Sequence, residues 1–458
     1  MAIATINPST GETVREFEPH DAAEVERRIA EADTAARDLR STTYGQRAAW
    51  MHAAADALEA DVENGARILT LEMGKPLAQA RAEVLKSVKG MRYYADHAEQ
   101  FLADDPLPDA SVVGASHAYT RYQPLGIVLA VMPWNYPFWQ VIRFAAPALM
   151  AGNAGLLKHA SNVPQSALYL DTLFEKGGFP AGSFRTLLIG AREVDAVIVD
   201  KRVKAVTLTG SEPAGRAVAA TAGREIKKAV LELGGSDPFI VMPSADLEAA
   251  ATVAVTARIS NNGQSCIAGK RFIAHTDIYE EFARLFAEKM ATLAVGDPFD
   301  ERTDVGPLAT QSGRDELAEL VDDAVARGAT VLTGGKAPDL PGWYYEPTVI
   351  ADLPDDARLV LEEAFGPVAS VYRAADREDA ARIANQTTFG LSSAVWTNDS
   401  QEEAWFVNAL DAGAVFINGM TVSYPELPFG GIKDSGFGRE LAAVGIREFT
   451  NLKTIWKA

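Results

Sequence analysis

A chain of 458 residues, 48% hydrophobic and 23% charged, is too long for one hydrophobic core and calls for two or three domains. Its 62 acidic residues against 43 basic ones leave a net charge of −19, a surface that repels nucleic acid and anionic lipid and argues against both as partners. One cysteine excludes an internal disulfide, and no apolar run reaches the ~20 residues of a membrane span.

Residues 1–12 lack a basic stretch followed by an apolar one, so no signal peptide is expected; with a single cysteine, the chain is expected in a reducing cytoplasm. Residues 24–39 and 46–73 carry the periodicity of amphipathic helices rich in Ala, Glu and Arg. Gly74-Lys75-Pro76 ends the second, and 77–102 continues as a third helix. Residues 104–108 break the pattern, and 118–123 alternate as an edge or arm strand. From Gly126 short apolar strands alternate with helices: strands at 127–132, 153–158, 185–189, 205–209 and 228–233, helices at 138–151 and 165–176. Repeated β-α-β units predict a mostly parallel, doubly wound sheet. After Gly235 a second series begins, with strands at 239–241, 271–274, 331–333, 368–372, 393–396 and 414–417 and helices at 247–261 and 278–294. Residues 449–456 read as a strand beyond the last helix. The expected fold is therefore α/β, two doubly wound parallel-sheet domains plus a small β oligomerisation arm from 118–123 and the C-terminus, and a homodimer or homotetramer is expected. The acid is dispersed along the chain, which suits a halophilic source and equally a merely acidic mesophilic protein.

Four patterns and the cysteine carry chemistry. Cys266 lies in Gly263-Gln264-Ser265-Cys266-Ile267-Ala268; a sulfur that crosslinks nothing is either a nucleophile or an inert buried thiol. Asn135, in Pro133-Trp134-Asn135-Tyr136-Pro137, follows a parallel strand, where its amide can meet an oxyanion or simply shape a turn. Lys158 ends another strand; it is either solvated or placed to hold ribose hydroxyls or a phosphate. Thr209 to Gly215 joins a strand to a helix with glycines at 210 and 215, five apart, so the backbone can approach a pyrophosphate at the helix N-terminus. The G-x-G-x-x-G spacing is absent, and alone the segment is a tight turn. Glu232, in Leu231-Glu232-Leu233-Gly234-Gly235, lies at the expected domain junction, where partial burial would raise its pKa toward that of a general base.

With Glu363-Ala364-Phe365-Gly366-Pro367, Phe429-Gly430-Gly431-Ile432-Lys433 and Ser435-Gly436-Phe437-Gly438-Arg439-Glu440 in the same order, the chain resembles the NAD(P)-dependent aldehyde dehydrogenases over essentially its full length. The resemblance implies that Cys266 is the nucleophile, that Asn135 and the Cys266 backbone N–H stabilise the oxyanion, and that Glu232 activates the water that hydrolyses the thioester. It implies that Lys158 and Glu363 hold ribose hydroxyls, that Trp134, Ser161, Gly210, Ser211 and Gly215 line the path of NAD or NADP, and that Phe365 backs the nicotinamide. It assigns 1–105 and 124–235 to a cofactor-binding domain, 236–427 to a catalytic domain, and 106–123 and 428–458 to the arm and a bridging C-terminal segment.

The substrate is expected to be a small aldehyde. Arg143 follows Asn135 by eight residues, about two helical turns, and an arginine there resembles the succinate-semialdehyde dehydrogenases, where it binds the substrate carboxylate. The strings around Trp139–Arg143 and Leu157–Val163 resemble the short bacterial form, in which Gln140 and Ser423 also touch substrate. Another branch has an arginine where this chain has Ser260 and a second cysteine where it has Ala268, so no disulfide switch is expected. A glutamate that excludes a 2′-phosphate in many NAD-preferring relatives is replaced here by Ser161, so NADP use is expected. The resemblance implies oxidation of succinate semialdehyde to succinate; the same chemistry on glutarate semialdehyde or broad aliphatic aldehydes is the alternative. An acylating enzyme using coenzyme A, or a non-enzymatic nucleotide-binding relative, fits less well, because Cys266, Glu232 and Asn135 are all retained. The six histidines show no ligand spacing, and no metal is expected.

Overall fold

The computed structural model describes residues 2–458. The strand Ile127–Met132 has only apolar residues and is buried almost throughout, which requires cover on both of its faces. It sits inside a six-stranded sheet ordered Gly436–Phe437, Lys228–Glu232, Val203–Thr209, Ile127–Met132, Ala154–His159, Phe184–Thr186. All neighbours are parallel except Gly436–Phe437, which runs antiparallel to Lys228–Glu232. The seven-stranded second sheet is ordered Thr330–Thr333, Thr348–Ala351, Val368–Ala374, Gly269–His275, Asp237–Val241, Ser393–Trp396, Val415–Ile417, and only the first pair is antiparallel. The fold is thus α/β with two largely parallel sheets, as the sequence predicts. The chain passes from one sheet to the other through Gly234-Gly235-Ser236, between Glu232 and Asp237.

Two small antiparallel sheets complete the architecture. Thr450–Lys457 pairs with His117–Pro124 along its whole length, and Asp105–Pro106 adds a short third strand. At the N-terminus Ile3–Ile6 pairs with Thr13–Phe17, a hairpin that the sequence pattern does not reveal.

Several boundaries differ from the periodicity. The stretch 46–73 is two helices, Tyr44–Ala60 and Val62–Met73, because Asp61 leaves helical geometry at φ −115° and ψ 25°. The stretch 165–176 divides likewise into Pro164–Asp171 and Leu173–Lys176. The helix expected to run to Asn261 stops at Ile259, since Asn261 and Asn262 adopt left-handed backbone at φ 59° and 57°. The strand Thr348–Ala351 and the helix Gln311–Ala326 are additional elements. Among the described residues no helix is long and apolar enough to cross a membrane.

The helix Trp139–Met150 is buried on every side, so its approach is fixed by packing all round. Its first turn is held from outside: one Glu83 carboxylate oxygen accepts the backbone N–H groups of Phe138 and Trp139 at 2.8 and 3.0 Å, which satisfies donors the helix cannot use itself. The other Glu83 oxygen is ion-paired with Lys75, fully buried, and Lys75 Nζ also donates to the Asn135 carbonyl at 3.0 Å. Glu83 lies on the long helix Leu77–Phe101, which is thereby locked against Trp139–Met150.

Candidate active site

Asn135, Lys158, Gly210 and Glu232 lie at or just beyond the carboxyl ends of four neighbouring strands of the six-stranded sheet, where parallel sheets present their crevice. Cys266 reaches the same crevice from the other sheet. Its loop is built on three consecutive left-handed residues, Asn261, Asn262 and Gly263, a conformation Asn tolerates and Gly adopts freely. At Gly263 no side chain fits, because the backbone of Gly366-Pro367 passes against it. The asparagines tie the loop down: Asn262 Nδ2 donates to the Gly74 and Pro307 carbonyls, both at 2.9 Å, and its Oδ1 accepts from Gly306 N at 2.8 Å.

The same loop orients Asn135. Asn135 Nδ2 donates to the Gln264 carbonyl at 3.1 Å, leaving its second N–H for another acceptor. Asn261 Nδ2 donates both to that carbonyl and to the Asn135 carbonyl, at 2.9 and 2.8 Å. Cys266 is half-buried and unpaired by disulfide. Burial pushes its thiol up to about 12, against the opposing pull of Lys270 and Arg143. Lys270 Nζ donates to the Cys266 carbonyl at 2.6 Å and the Ser265 carbonyl at 2.8 Å, and pairs with Glu363 at 2.9 Å.

Glu232 is 1% exposed, and neither carboxylate oxygen has a hydrogen-bond partner among the described residues. Burial raises its pKa well above the ordinary carboxylate value, and the neighbouring Glu440 carboxylate raises it further, against Arg143 and Arg439. Gly430, at φ +148°, makes room for it: a β-carbon there would lie 2.7 Å from Glu232 Oε1. The resemblance alone assigns no role to Glu440, Gly430 or Lys270.

Arg143, expected to bind a substrate carboxylate, is engaged by neighbouring groups of the protein. Its guanidinium is buried, ion-paired through Nε with Glu440, stacked over the Phe429 ring at 4.6 Å, and donates from Nη2 to Thr209 Oγ1 at 3.3 Å. Its charge is therefore already neutralised by a protein carboxylate. Gln140, one turn earlier, is buried with Oε1 unpartnered. Ser423 Oγ accepts from Trp139 Nε1 at 2.9 Å and from Lys86 Nζ at 2.7 Å.

On the other side of the crevice a cleft of about 720 Å³ runs past Trp134, Glu212, Gln264, Glu363, Phe365 and Phe389. Trp134 meets Phe365 edge to face at 5.6 Å and 88°. Glu363 Oε1 accepts from Gly235 N at 3.3 Å, and burial raises its pKa against the pull of Lys270. Lys158 is 8% exposed and makes no ion pair among the described residues; burial lowers its pKa and Glu193 opposes the fall. Ser211 caps the helix Glu212–Arg224 from extended backbone without a side-chain bond, so the helix N-terminus stays open. Gly215 does not face the cleft: a β-carbon there would strike Leu233 Cδ2 at 2.6 Å, so this glycine lets the helix lie close on the sheet. Gly210 meets nothing closer than Leu208 at 3.5 Å. Ser161 accepts from Ala4 N at 3.0 Å through its carbonyl, leaving its hydroxyl uncommitted by that contact. A cleft with a carboxylate and two aromatic faces, Glu212 of the open helix N-terminus on its wall, and an unpaired buried lysine at a neighbouring strand end fit a dinucleotide. Among the described residues no cluster of side chains could hold a metal ion.

A cysteine on a backbone-strained loop, an amide turned toward it and a buried carboxyl, set at the meeting of two parallel sheets, define one class of protein: the chain belongs to the aldehyde dehydrogenase family, whose model matches residues 1–455. Among its relatives is the succinate-semialdehyde dehydrogenase (NADP+) of Mycobacterium avium strain 104, 64% identical over 457 residues, which span 100% of this chain and 97% of the relative. A protein of Mycobacterium ulcerans strain Agy99, succinate-semialdehyde dehydrogenase (NADP+) 1, is also 64% identical, with 100% of both chains covered. Among solved structures, the succinic semialdehyde dehydrogenase of Streptococcus pyogenes in complex with NADP+ superimposes with a TM-score of 0.96 at 36% identity, over 99% of each chain.

Proposed function

We propose that the chain oxidises succinate semialdehyde to succinate with NADP+. The observation that carries this reading is the pairing of the Cys266, Asn135 and Glu232 geometry with cationic side chains, Arg143 and Lys86, beside the reacting crevice; the relatives named for this substrate and cofactor support it. Cys266, once deprotonated, adds to the aldehyde carbon. The free N–H of Asn135 and the Cys266 backbone N–H receive the developing oxyanion. Bound NADP+ would supply the acceptor for the hydride that the tetrahedral adduct on Cys266 releases. The acyl group is then a thioester on Cys266, and Glu232 takes a proton from the water that cleaves it. Aldehyde, NADP+ and water thus give carboxylic acid, NADPH and a proton.

The residues on the cofactor side suit this assignment. Glu363 would accept hydrogen bonds from ribose hydroxyls, Lys158 would supply a positive charge, Trp134 and Phe365 would border the ring, and Gly210 with Ser211 would leave the helix N-terminus open to phosphate. Ser161, a short hydroxyl near Lys158, leaves a 2′-phosphate unopposed. NAD is the second cofactor. The cofactor-binding half comprises 1–105 and 124–235 and the catalytic half 236–427. The arm 106–123 with 428–458 joins copies into a homodimer or homotetramer, a role suited to its exposed Leu452 and Trp456.

Reduced cofactor formation, followed by absorbance, tests the reading. Succinate semialdehyde with NADP+ is expected to give a kcat/KM at least about tenfold above that of butanal, and above that with NAD+. A preference for butanal or for glutarate semialdehyde would replace the substrate assignment with the broader or longer-chain alternative.

A further inference from the structure

Resting on the reading that Cys266 is the nucleophile and Glu363 faces the cofactor, we propose that Lys270 is a positioning residue that ties the two together, one ammonium shared between the Glu363 carboxylate and the peptide carbonyls of the nucleophile's own turn. Lys270 is the second residue of the strand Gly269–His275 and is 2% exposed. Its Nζ donates to the Cys266 carbonyl at 2.6 Å and the Ser265 carbonyl at 2.8 Å, and meets Glu363 Oε1 at 2.9 Å. An ammonium has three N–H donors, and these three acceptors use them all. The group therefore acts only through its neighbours. The crossover between the two sheets closes in on the same point. A β-carbon at Gly235 would lie 2.6 Å from the Cys266 carbonyl oxygen, and Gly235 N donates to Glu363 Oε1 at 3.3 Å. Glu363 Oε1 is thus held from two sides, which leaves Oε2 for the cleft that Glu363 lines.

A buried cation in contact with the cysteine's peptide favours negative charge beside it. Burial pushes the Cys266 thiol up; Lys270 and then Arg143 oppose the rise, while Glu363 and Asp237 add to it. The two cations differ in attachment. Arg143 is paired with Glu440 and bonded to Thr209, whereas Lys270 touches the nucleophile's own residue. How much of the Lys270 charge is felt at the thiol depends on Glu363, the carboxylate paired with it. Asp237, the other acid nearby, accepts from Ser392 N at 3.1 Å and is itself pushed up by burial to about 7, against the pull of Lys270. Any group that engages Glu363 therefore alters the field at Cys266 through this ammonium. The two loops do not need Lys270 to stay together: Arg258 Nη2 donates to the Gly263 carbonyl at 2.6 Å and to the Ala364 carbonyl at 3.4 Å, a second bridge between them.

Cys266 is the only cysteine, so iodoacetamide labelling of the cofactor-free, full-length protein reads its reactivity directly. Labelling rates at about pH 8 are compared for wild type, Lys270→Met and Glu363→Gln. Lys270→Met is expected to label about tenfold more slowly, the effect of removing a neighbouring unit charge. Glu363→Gln keeps the ammonium and removes its counter-charge, and is expected to label at least about threefold faster. Opposite signs distinguish the shared charge from a loosened turn, which would speed both. Titration with NADP+, followed by tryptophan fluorescence, gives a second readout: Lys270→Met is expected to bind about fivefold more weakly, because Glu363 loses the bond that aims it. The proposal is overturned if Lys270→Met labels within about threefold of wild type, if both variants shift in the same direction, or if Lys270→Met binds NADP+ as tightly as wild type; in each case the reading of Cys266 as nucleophile stands. Should Lys270→Met fail to fold, Glu363→Gln decides alone, a labelling rate at or below that of wild type overturning the proposal. Labelling that leaves aldehyde oxidation intact would instead overturn the reading of Cys266 as nucleophile, and the tie with it.

Discussion

Gly430→Ala tests how Glu232 is held. Gly430 sits at φ +148°, where a β-carbon would lie 2.7 Å from Glu232 Oε1, 3.0 Å from Arg439 Cδ and 3.0 Å from the Gly438 carbonyl. Forcing alanine into that backbone region costs about 1–3 kcal/mol. The crowding adds about 1–3 kcal/mol of overpacking, less where the Arg439 chain gives way. The softest neighbour is the Glu232 carboxylate, which has no hydrogen bond to hold it. A displacement near 1 Å of a catalytic group costs about 100-fold in rate. In a rapid-mixing experiment the variant should still give a burst of reduced cofactor close to one per active site, followed by a steady rate about 100-fold below wild type, because hydrolysis and not acylation needs Glu232 as base. Its Tm should fall by several degrees. A variant with wild-type Tm and a steady rate within threefold of wild type would refute the reasoning. Loss of the burst would show that Glu232 acts before the thioester forms.

Glu440→Gln should move the acidic limb of the kcat–pH profile to lower pH by about 1–2 units, the size of shift a neighbouring unit charge exerts on a buried carboxyl. The sign follows from Glu440 raising the Glu232 pKa in the wild type; a limb that stays put or rises would contradict the coupling. With the Cys266 thiol pushed up to about 12 and Glu232 raised as well, wild-type kcat/KM should climb steadily from pH 6 to pH 9. A flat profile across that range would mean that neither group limits the rate. Ser161→Glu should lower kcat/KM with NADP+ by about tenfold or more and leave NAD+ nearly unaffected, measured with one aldehyde and both cofactors. Lys75→Met strands Glu83 as a buried charge and should cost about 3–5 kcal/mol, read as the largest fall in Tm among these variants.

What could be read in the chain and what could not divide along physical lines. The central strands Ile127–Met132 and Ala154–His159 are legible because they are buried on both faces and so contain nothing but apolar residues until the functional end. Cys266, Asn135 and Glu232 are legible because each stands in a short motif marked by glycine or proline, Gly263-Gln264-Ser265-Cys266, Pro133-Trp134-Asn135 and Glu232-Leu233-Gly234-Gly235. Lys86 was hidden. It lies on a helix with Arg81, Lys89 and Arg92, where one more lysine reads as solvated surface, and only the fold brings Ser423, 337 residues away, to its ammonium. Glu440 was hidden for the same reason, since its partner Arg143 lies far away in the sequence, in the first third of the chain. Gly215 misled in a different way. A glycine beyond a strand–turn–helix junction signals close backbone approach, but the sequence does not say to what, and here it is Leu233 rather than a phosphate. The breaks at Asp61 and at Asn261-Asn262 escaped because neither residue type excludes a helix; tertiary hydrogen bonds decide, as those of Asn262 to Gly74 and Pro307 do.

The charges of the site also constrain the order of events. Cys266, Glu232 and Glu440 all have pKa values raised by burial, and the cations beside them, Arg143 and Lys270, already serve Glu440 and Glu363. Burial thus disfavours the charged form of both the thiol and Glu232. Acylation needs Cys266 without its proton, and hydrolysis needs Glu232 without its proton, at a time when Cys266 is a neutral thioester. The two groups therefore lose their protons in separate steps, and in each step the proton leaves a group that its surroundings favour as neutral, so a rise in pH should assist both.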